Sequence, residues 1–163
     1  MLLYHGSNVV VEKPRLVGQS RGLDFGPGFY TTTSEAQAAQ FARIVANRRK
    51  SGVPSVSVYE CDMRAAEAAL AVKKFQHADS EWLKCVVENR LDPGLTTCHD
   101  IVMGAVANDT VMPTLQAYMG GFIDEEAALL MLKAKKWVDQ VCLKTEAALL
   151  LLKFIRAYEP GED

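Results

Sequence analysis

Tyr4-His5-Gly6-Ser7, entered from the apolar pair Leu2-Leu3, and Asp24-Phe25-Gly26-Pro27-Gly28-Phe29-Tyr30-Thr31-Thr32 are the two stretches that decide how this chain reads. Leu2-Leu3-Tyr4 predicts a short strand that delivers His5 to a turn, with Val9-Val10-Val11 as apolar chain beyond it. Gly18 to Gly28 is rich in Gly and polar residues and predicts a loop. Just after the second stretch, Ser34 predicts a helix N-cap, and Gln37 three residues on completes a capping box. Ala38, Phe41, Ala42 and Val45 then recur at helical spacing, which predicts an apolar face turned to a core.

Outward from there the pattern stays mixed. Pro54 ends the loop after the first helix, and Ser55 to Tyr59 alternates polar and apolar residues as a half-buried strand does. Met63 to Leu70 is helical by propensity, whereas Leu70 to Phe75 suits a strand equally well. Ser80 to Arg90 predicts an amphipathic helix with Trp82, Leu83, Val86 and Val87 inward. Ile101 to Met103 reads as a buried strand running into an Ala107-Asn108-Asp109 turn. Helices over Val111 to Met119 and Glu125 to Lys136 follow, separated by Gly120-Gly121. Val141 to Lys144 predicts a strand, Thr145 the cap of a short helix, and Lys153 to Tyr158 the closing strand. Strands spread among helices of uneven length predict an α+β fold, a single domain over 1–163, and not the regular alternation of a doubly wound sheet.

Composition narrows the function classes. A chain of 163 residues, 49% hydrophobic and 23% charged, supports one core without staples. The net charge of -2 argues against a dedicated duplex-binding surface, which would be basic. Arg43, Arg48, Arg49 and Lys50 read as a solvated last turn whose cations complement the helix dipole. Cys61, Cys85, Cys98 and Cys142 share no metal-ligand spacing, and Cys98-His99 is a lone pair, so no metal is expected. The start leads directly into strand, with no leader, and no apolar run is long enough to span a bilayer. A cytoplasmic protein with reduced thiols and no membrane contact is the expectation.

The pairing of Leu-Tyr-His-Gly-Ser with Phe-Gly-x-Gly-Phe-Tyr resembles the NAD-binding core of ADP-ribosyltransferases. It is similar to the His-Tyr branch typified by diphtheria toxin and the poly(ADP-ribose) polymerases. The likeness covers Leu2 to Ala42, and Asp139 to Thr145 by position alone. The Ala-Asn-Asp run adds a likeness to bacterial proteins of that superfamily grouped as a domain of unknown function and often encoded beside a small partner protein. The resemblance implies a split mixed β-sheet core flanked by helices. It implies NAD as substrate, a macromolecular acceptor (a protein rather than a nucleic acid), and the setting of a toxin or defence effector with a cognate antitoxin.

Cleaving the nicotinamide–ribose bond passes through an oxocarbenium-like transition state, so the protein must fix the dinucleotide and stabilise positive charge on the ribose. On the resemblance, His5 holds a ribose hydroxyl on the adenosine side, Gly6 offers its backbone amide and carbonyl to the nicotinamide carboxamide, Ser7 belongs to the same cofactor-binding motif, and Tyr30 stacks on the nicotinamide ring. Phe41 falls at the second sandwiching aromatic, eleven residues after Tyr30, while the Ser that precedes it in the polymerases is Ala38 here. The third position of the family is a Glu opening a later strand. By order it falls in Asp139-Gln140-Val141-Cys142-Leu143, where Gln140 takes it, with Asp139, Glu146, Asp100 and Asp109 as rival carboxylates. A neutral amide positions a ribose but stabilises an oxocarbenium less than a carboxylate does. Transfer of a single ADP-ribose, hydrolysis of NAD, and binding without turnover therefore all stay open.

Overall fold

The computed structural model describes residues 1–16, 22–95, 98–133, 135 and 137–161. Part of the loop expected between Gly18 and Gly28, and the end of the helix expected to reach Lys136, lie outside the described residues.

The described residues form seven strands and six helices, an α+β arrangement of two sheets. The first sheet holds β1 (Leu2–Ser7), β3 (Ser55–Cys61) and β7 (Leu152–Tyr158) in the order β1-β3-β7, all antiparallel. The second holds β2 (Phe29–Thr31), β6 (Asp139–Leu143), β5 (Ile101–Ala105) and β4 (Val72–Lys74) in the order β2-β6-β5-β4. Only its β4–β5 pair is parallel. The helices are α1 (Glu35–Arg49), α2 (Met63–Ala69), α3 (Ser80–Leu91), α4 (Met112–Met119), α5 (Glu125–Lys133) and α6 (Glu146–Leu149).

Period-two alternation divides each sheet between two cores. Leu3, Tyr59 and Cys61 of the first sheet meet Phe29, Ile101, Val141 and Leu143 of the second in a layer between the sheets. The opposite face of the first sheet carries Val56 and Val58 beneath Ala38 and Ala42 of α1. On the second sheet the opposite face carries Val102 and Cys142 beneath Trp82, Leu83 and Val86 of α3, with Leu115 and Leu132 of α4 and α5 behind them. Being central and covered on both sides, β3 is buried almost throughout, not half-buried as its alternation predicts.

The helix starts are set by side-chain caps. Ser34 Oγ accepts the Gln37 N–H at 3.3 Å, Asp62 Oδ1 accepts the Arg64 and Ala65 N–H groups, and Asp79 Oδ1 accepts that of Trp82. Each such cap is worth about 1 kcal/mol. The expected box at Ser34 forms only on one side. Gln37 Oε1 lies 3.0 Å from Thr32 Oγ1, and that hydroxyl, not Gln37, accepts the Ser34 N–H. Met63 to Phe75 realises both of its propensities, α2 first and then β4.

Candidate active site at the split between β1 and β2

The two sheets touch edge to edge at one point. Tyr4 N–H donates to the Thr32 carbonyl at 2.9 Å, and Thr32 N–H donates to the Tyr4 carbonyl at 3.0 Å. Two residues further along each strand, a continued antiparallel ladder would pair Gly6 with Tyr30. It does not continue. The Tyr30 carbonyl is taken instead by His5 Nδ1, at 2.7 Å.

Backbone groups along an antiparallel strand alternate between its two edges. Since Tyr4 directs its N–H and C=O to Thr32, Gly6 directs its own the same way, into the gap where the β1–β2 ladder breaks off. Gly6 is buried, and no bond joins it to Tyr30. A buried donor–acceptor pair facing a gap suits a ligand amide, which offers one group of each kind. Gly6 also has a packing reason to be glycine. A Cβ there would lie 2.1 Å from the Ala38 carbonyl oxygen of α1, so the helix backbone, not a ligand ring, occupies that direction.

His5 stands on the inter-sheet face of β1, its ring 4.4 Å from that of Phe29. A carbonyl only accepts, so Nδ1 carries the proton and Nε2 is left as an acceptor for a hydroxyl. Burial pushes the His5 pKa below the ordinary histidine value, outweighing the raising effect of the Tyr30 carbonyl, with a small lowering push from Arg49. The unfolded chain binds a proton near pH 6.5 and the folded one resists it, so the stability from neutral His5 is complete above about pH 6.5 and lost as pH falls below it. Thermal unfolding followed from about pH 7.5 down to about pH 5 is expected to show a falling Tm that is flatter in His5→Gln. Parallel curves would contradict a buried neutral His5.

Tyr30 lies on the other face of β2, beside Cys142. Its hydroxyl donates to the Gly26 carbonyl at 2.6 Å and accepts the Phe25 N–H at 3.1 Å, strapping the 24–26 segment across the ring. Burial raises its pKa well above the ordinary tyrosine value, with the Cys142 thiol adding to the effect. Gly26 makes the strap possible, since its φ of 75° belongs to the left-handed region that favours glycine.

Gln140 shares the Tyr30 face of the sheet and is 8% exposed. Its Nε2 donates to Asp24 Oδ2 at 2.8 Å and to the Ala105 carbonyl at 3.1 Å. Asp24, 5% exposed, also accepts the Ala107 N–H at 2.8 Å on Oδ2. Its Oδ1 takes Arg90 Nε at 2.8 Å and Nη2 at 2.5 Å. This buried carboxylate is the residue that sequence reasoning passed over. Its signal was its place at the head of Asp24-Phe25-Gly26, and nothing local shows that Arg90 and Gln140 converge on it.

The remaining candidates scatter. Ser7 is buried at the end of β1 opposite Ser55. Phe41 is 47% exposed, so the expectation that it turns to the core is corrected: Ala38 and Ala42 alone fill the tight contact with the sheet. Asp139 Oδ1 accepts the Thr33 N–H at 3.1 Å and Oδ2 the Thr33 hydroxyl at 2.6 Å, tying β6 to the end of β2. Asp100 accepts from Ala71 N–H and Thr145 Oγ1, which hold its pKa below the ordinary carboxylate value, at the opposite end of β5. Asp109 sits exposed in the turn after β5, and Glu146 is exposed in the first turn of α6. A cleft of about 350 Å³ lined by Phe75, His77, Ala105, Trp137 and Asp139 adjoins Gln140 along the strand ends. A larger one of about 490 Å³ lies by Val9, Val53 and Tyr158, away from these groups. Among the described residues no three His, Cys, Asp or Glu side chains gather as a metal site, and no helix is long and apolar enough to cross a membrane.

A family model described as "Protein of unknown function (DUF3990)" matches residues 1–154. No curated protein and no solved structure matches the chain.

Proposed function

The chain belongs to the DUF3990 family of proteins of unknown function, and we propose that it is an NAD-dependent mono-ADP-ribosyltransferase. The two sheets, whose backbone bridge among the described residues is the Tyr4–Thr32 pair, then correspond to the split core of that superfamily. The observation that carries the reading is the interrupted ladder. His5 takes the Tyr30 carbonyl, and the amide and carbonyl of Gly6 are left facing the gap. In the proposed complex Gly6 receives the nicotinamide carboxamide, Tyr30 bears on the ring and His5 Nε2 accepts a ribose hydroxyl. Ser7 borders the carboxamide, and Phe41 closes over the ring from α1.

In the reaction the C1′–nitrogen bond of the nicotinamide ribose breaks, and its electron pair leaves with neutral nicotinamide. An acceptor nucleophile bonds to C1′ and gives up its proton. The site's part is to hold the dinucleotide and to face electron-rich oxygens toward the ribose as positive charge grows there. A protein acceptor in the cytoplasm, and control by a small partner protein in a toxin or defence pair, complete the reading. One observation favours a second reading, binding without turnover. On Tyr30's face β6 presents the thiol of Cys142 and the neutral amide of Gln140, and neither is a carboxylate.

Substitutions at two positions test the binding site by calorimetry. His5→Ala is expected to weaken NAD binding by about 1–3 kcal/mol, on the order of five- to 150-fold in Kd, because a buried hydroxyl loses its acceptor. Unchanged affinity in a folded variant would exclude His5 from the site. Tyr30→Ala is expected to lower affinity for NAD more than for ADP-ribose, which lacks the ring. Tyr30→Phe, which keeps the ring and loses the hydroxyl's bonds to Gly26 and Phe25, is expected to retain that preference. Equal losses for both ligands would mean that Tyr30 is structural.

A further inference from the structure

Both amide hydrogens of Gln140 are engaged, and both partners, the Asp24 carboxylate and the Ala105 carbonyl, can only accept. The amide is thereby oriented one way, with Oε1 turned from them. Oε1 has no hydrogen bond among the described residues. Donation to a carboxylate also polarises the amide and enriches its oxygen in electron density.

We infer that Asp24 is a positioning residue for this site: it locks Gln140 so that Oε1 alone is presented, as acceptor for a ribose hydroxyl of the dinucleotide. The inference rests on the transferase reading and deepens it, because carboxylate and amide together then occupy the place where the resembling families use a single Glu. The charged and titratable groups around the pair are few. Asp24 comes from the 22–28 loop, Arg90 and Cys85 from α3, Tyr30 from β2 and Cys142 from β6, with Asp139 and His77 in the adjoining cleft, while β5 contributes only Gly104 and Ala105. Lys144 at the end of β6 turns to the Phe25 carbonyl.

This geometry reverses a simple expectation. A carboxyl placed at 140 alone would meet the Asp24 carboxylate and a carbonyl at hydrogen-bond distance, with no proton between them. Like charges so close do not both ionise, so the new carboxyl would keep its proton into the neutral range. Gln140→Glu is therefore expected to lower turnover about tenfold, not to raise it. Its Tm should fall, relative to the wild type, as pH rises above the ordinary glutamate pKa of about 4.3.

The test uses the full chain with Gln140→Glu, Asp24→Asn and the double variant. NAD cleavage and thermal unfolding are followed from about pH 5 to about pH 8. Asp24→Asn alone is expected to lower kcat about tenfold with KM within about threefold, the mark of a group acting on the transition state. In the Asp24→Asn background, Gln140→Glu is expected to cost no further activity and to add no pH dependence. The same loss in both backgrounds, or a pH-independent single variant, would overturn the pair. A wild type that neither binds nor cleaves NAD would overturn the transferase reading and the ribose role of Oε1. The unfolding curves decide the Asp24–Gln140 coupling separately.

Discussion

Gly6→Ala is expected to destabilise the protein by about 3 kcal/mol or more, lowering Tm by roughly 6–12 °C. The added Cβ would sit 2.1 Å from the Ala38 carbonyl oxygen, 2.9 Å from the Ala42 nitrogen and 3.0 Å from the Ala38 carbonyl carbon. All three are backbone atoms, so no side chain can rotate away. On one side β1 is fixed by its full-length pairing with β3. On the other, α1 is fixed by its Ser34 cap and by Ala38 and Ala42 on Val56 and Val58. Relief requires moving α1 off the sheet, which also displaces the segment carrying Thr32 to Ser34 at the mouth of the split. Gly121→Ala is the control. It has φ of 72° with nothing within 4 Å, so its cost is the conformational one of about 1 kcal/mol. Equal, small shifts in Tm for the two would mean that α1 does not pack on Gly6.

Arg90→Leu is expected to cost about 3 kcal/mol at neutral pH, because it strips two donors and the counter-charge from a buried carboxylate. Removing both charges should be far milder than removing one. Arg90→Leu in an Asp24→Asn background is therefore expected to recover much of the loss, the non-additivity of a coupled pair. Additive losses in chemical denaturation would show the two residues acting independently.

Both stabilities depend on contacts remote in sequence, which marks the limit of what was legible there. Local signals carried α1, announced by Ser34 and the Ala38–Ala42 spacing, and α3, announced by the apolar stripe of Trp82, Leu83, Val86 and Val87. The α+β class followed from strands scattered among them. Other features answer to partners far along the chain. β1 runs on through His5, Gly6 and Ser7 because β3 pairs with all of them, where a turn at His5 was expected. β6 opens at Asp139 rather than Val141 because Gly104 and Ala105 extend its ladder. Gln37 leaves its own cap because the Thr32 hydroxyl donates to it and takes the Ser34 N–H in its place. The candidate site divides the same way. His5, Gly6 and Tyr30 stand out in short motifs, whereas Asp24 gains meaning only through Arg90 on α3 and Gln140 on β6. Two sheets built from interleaved strands create that convergence, and no window of sequence contains it.

The transferase reading stands or falls on one measurement: incubation of the purified chain and a cell lysate with NAD labelled on its adenylate half, alongside His5→Ala and Tyr30→Ala. With the wild type, label on a macromolecule and released nicotinamide are expected, and neither with the variants. Label appearing only as free ADP-ribose would make water the acceptor. Intact NAD after prolonged incubation with a folded wild-type chain, together with no NAD binding by calorimetry, would contradict the account.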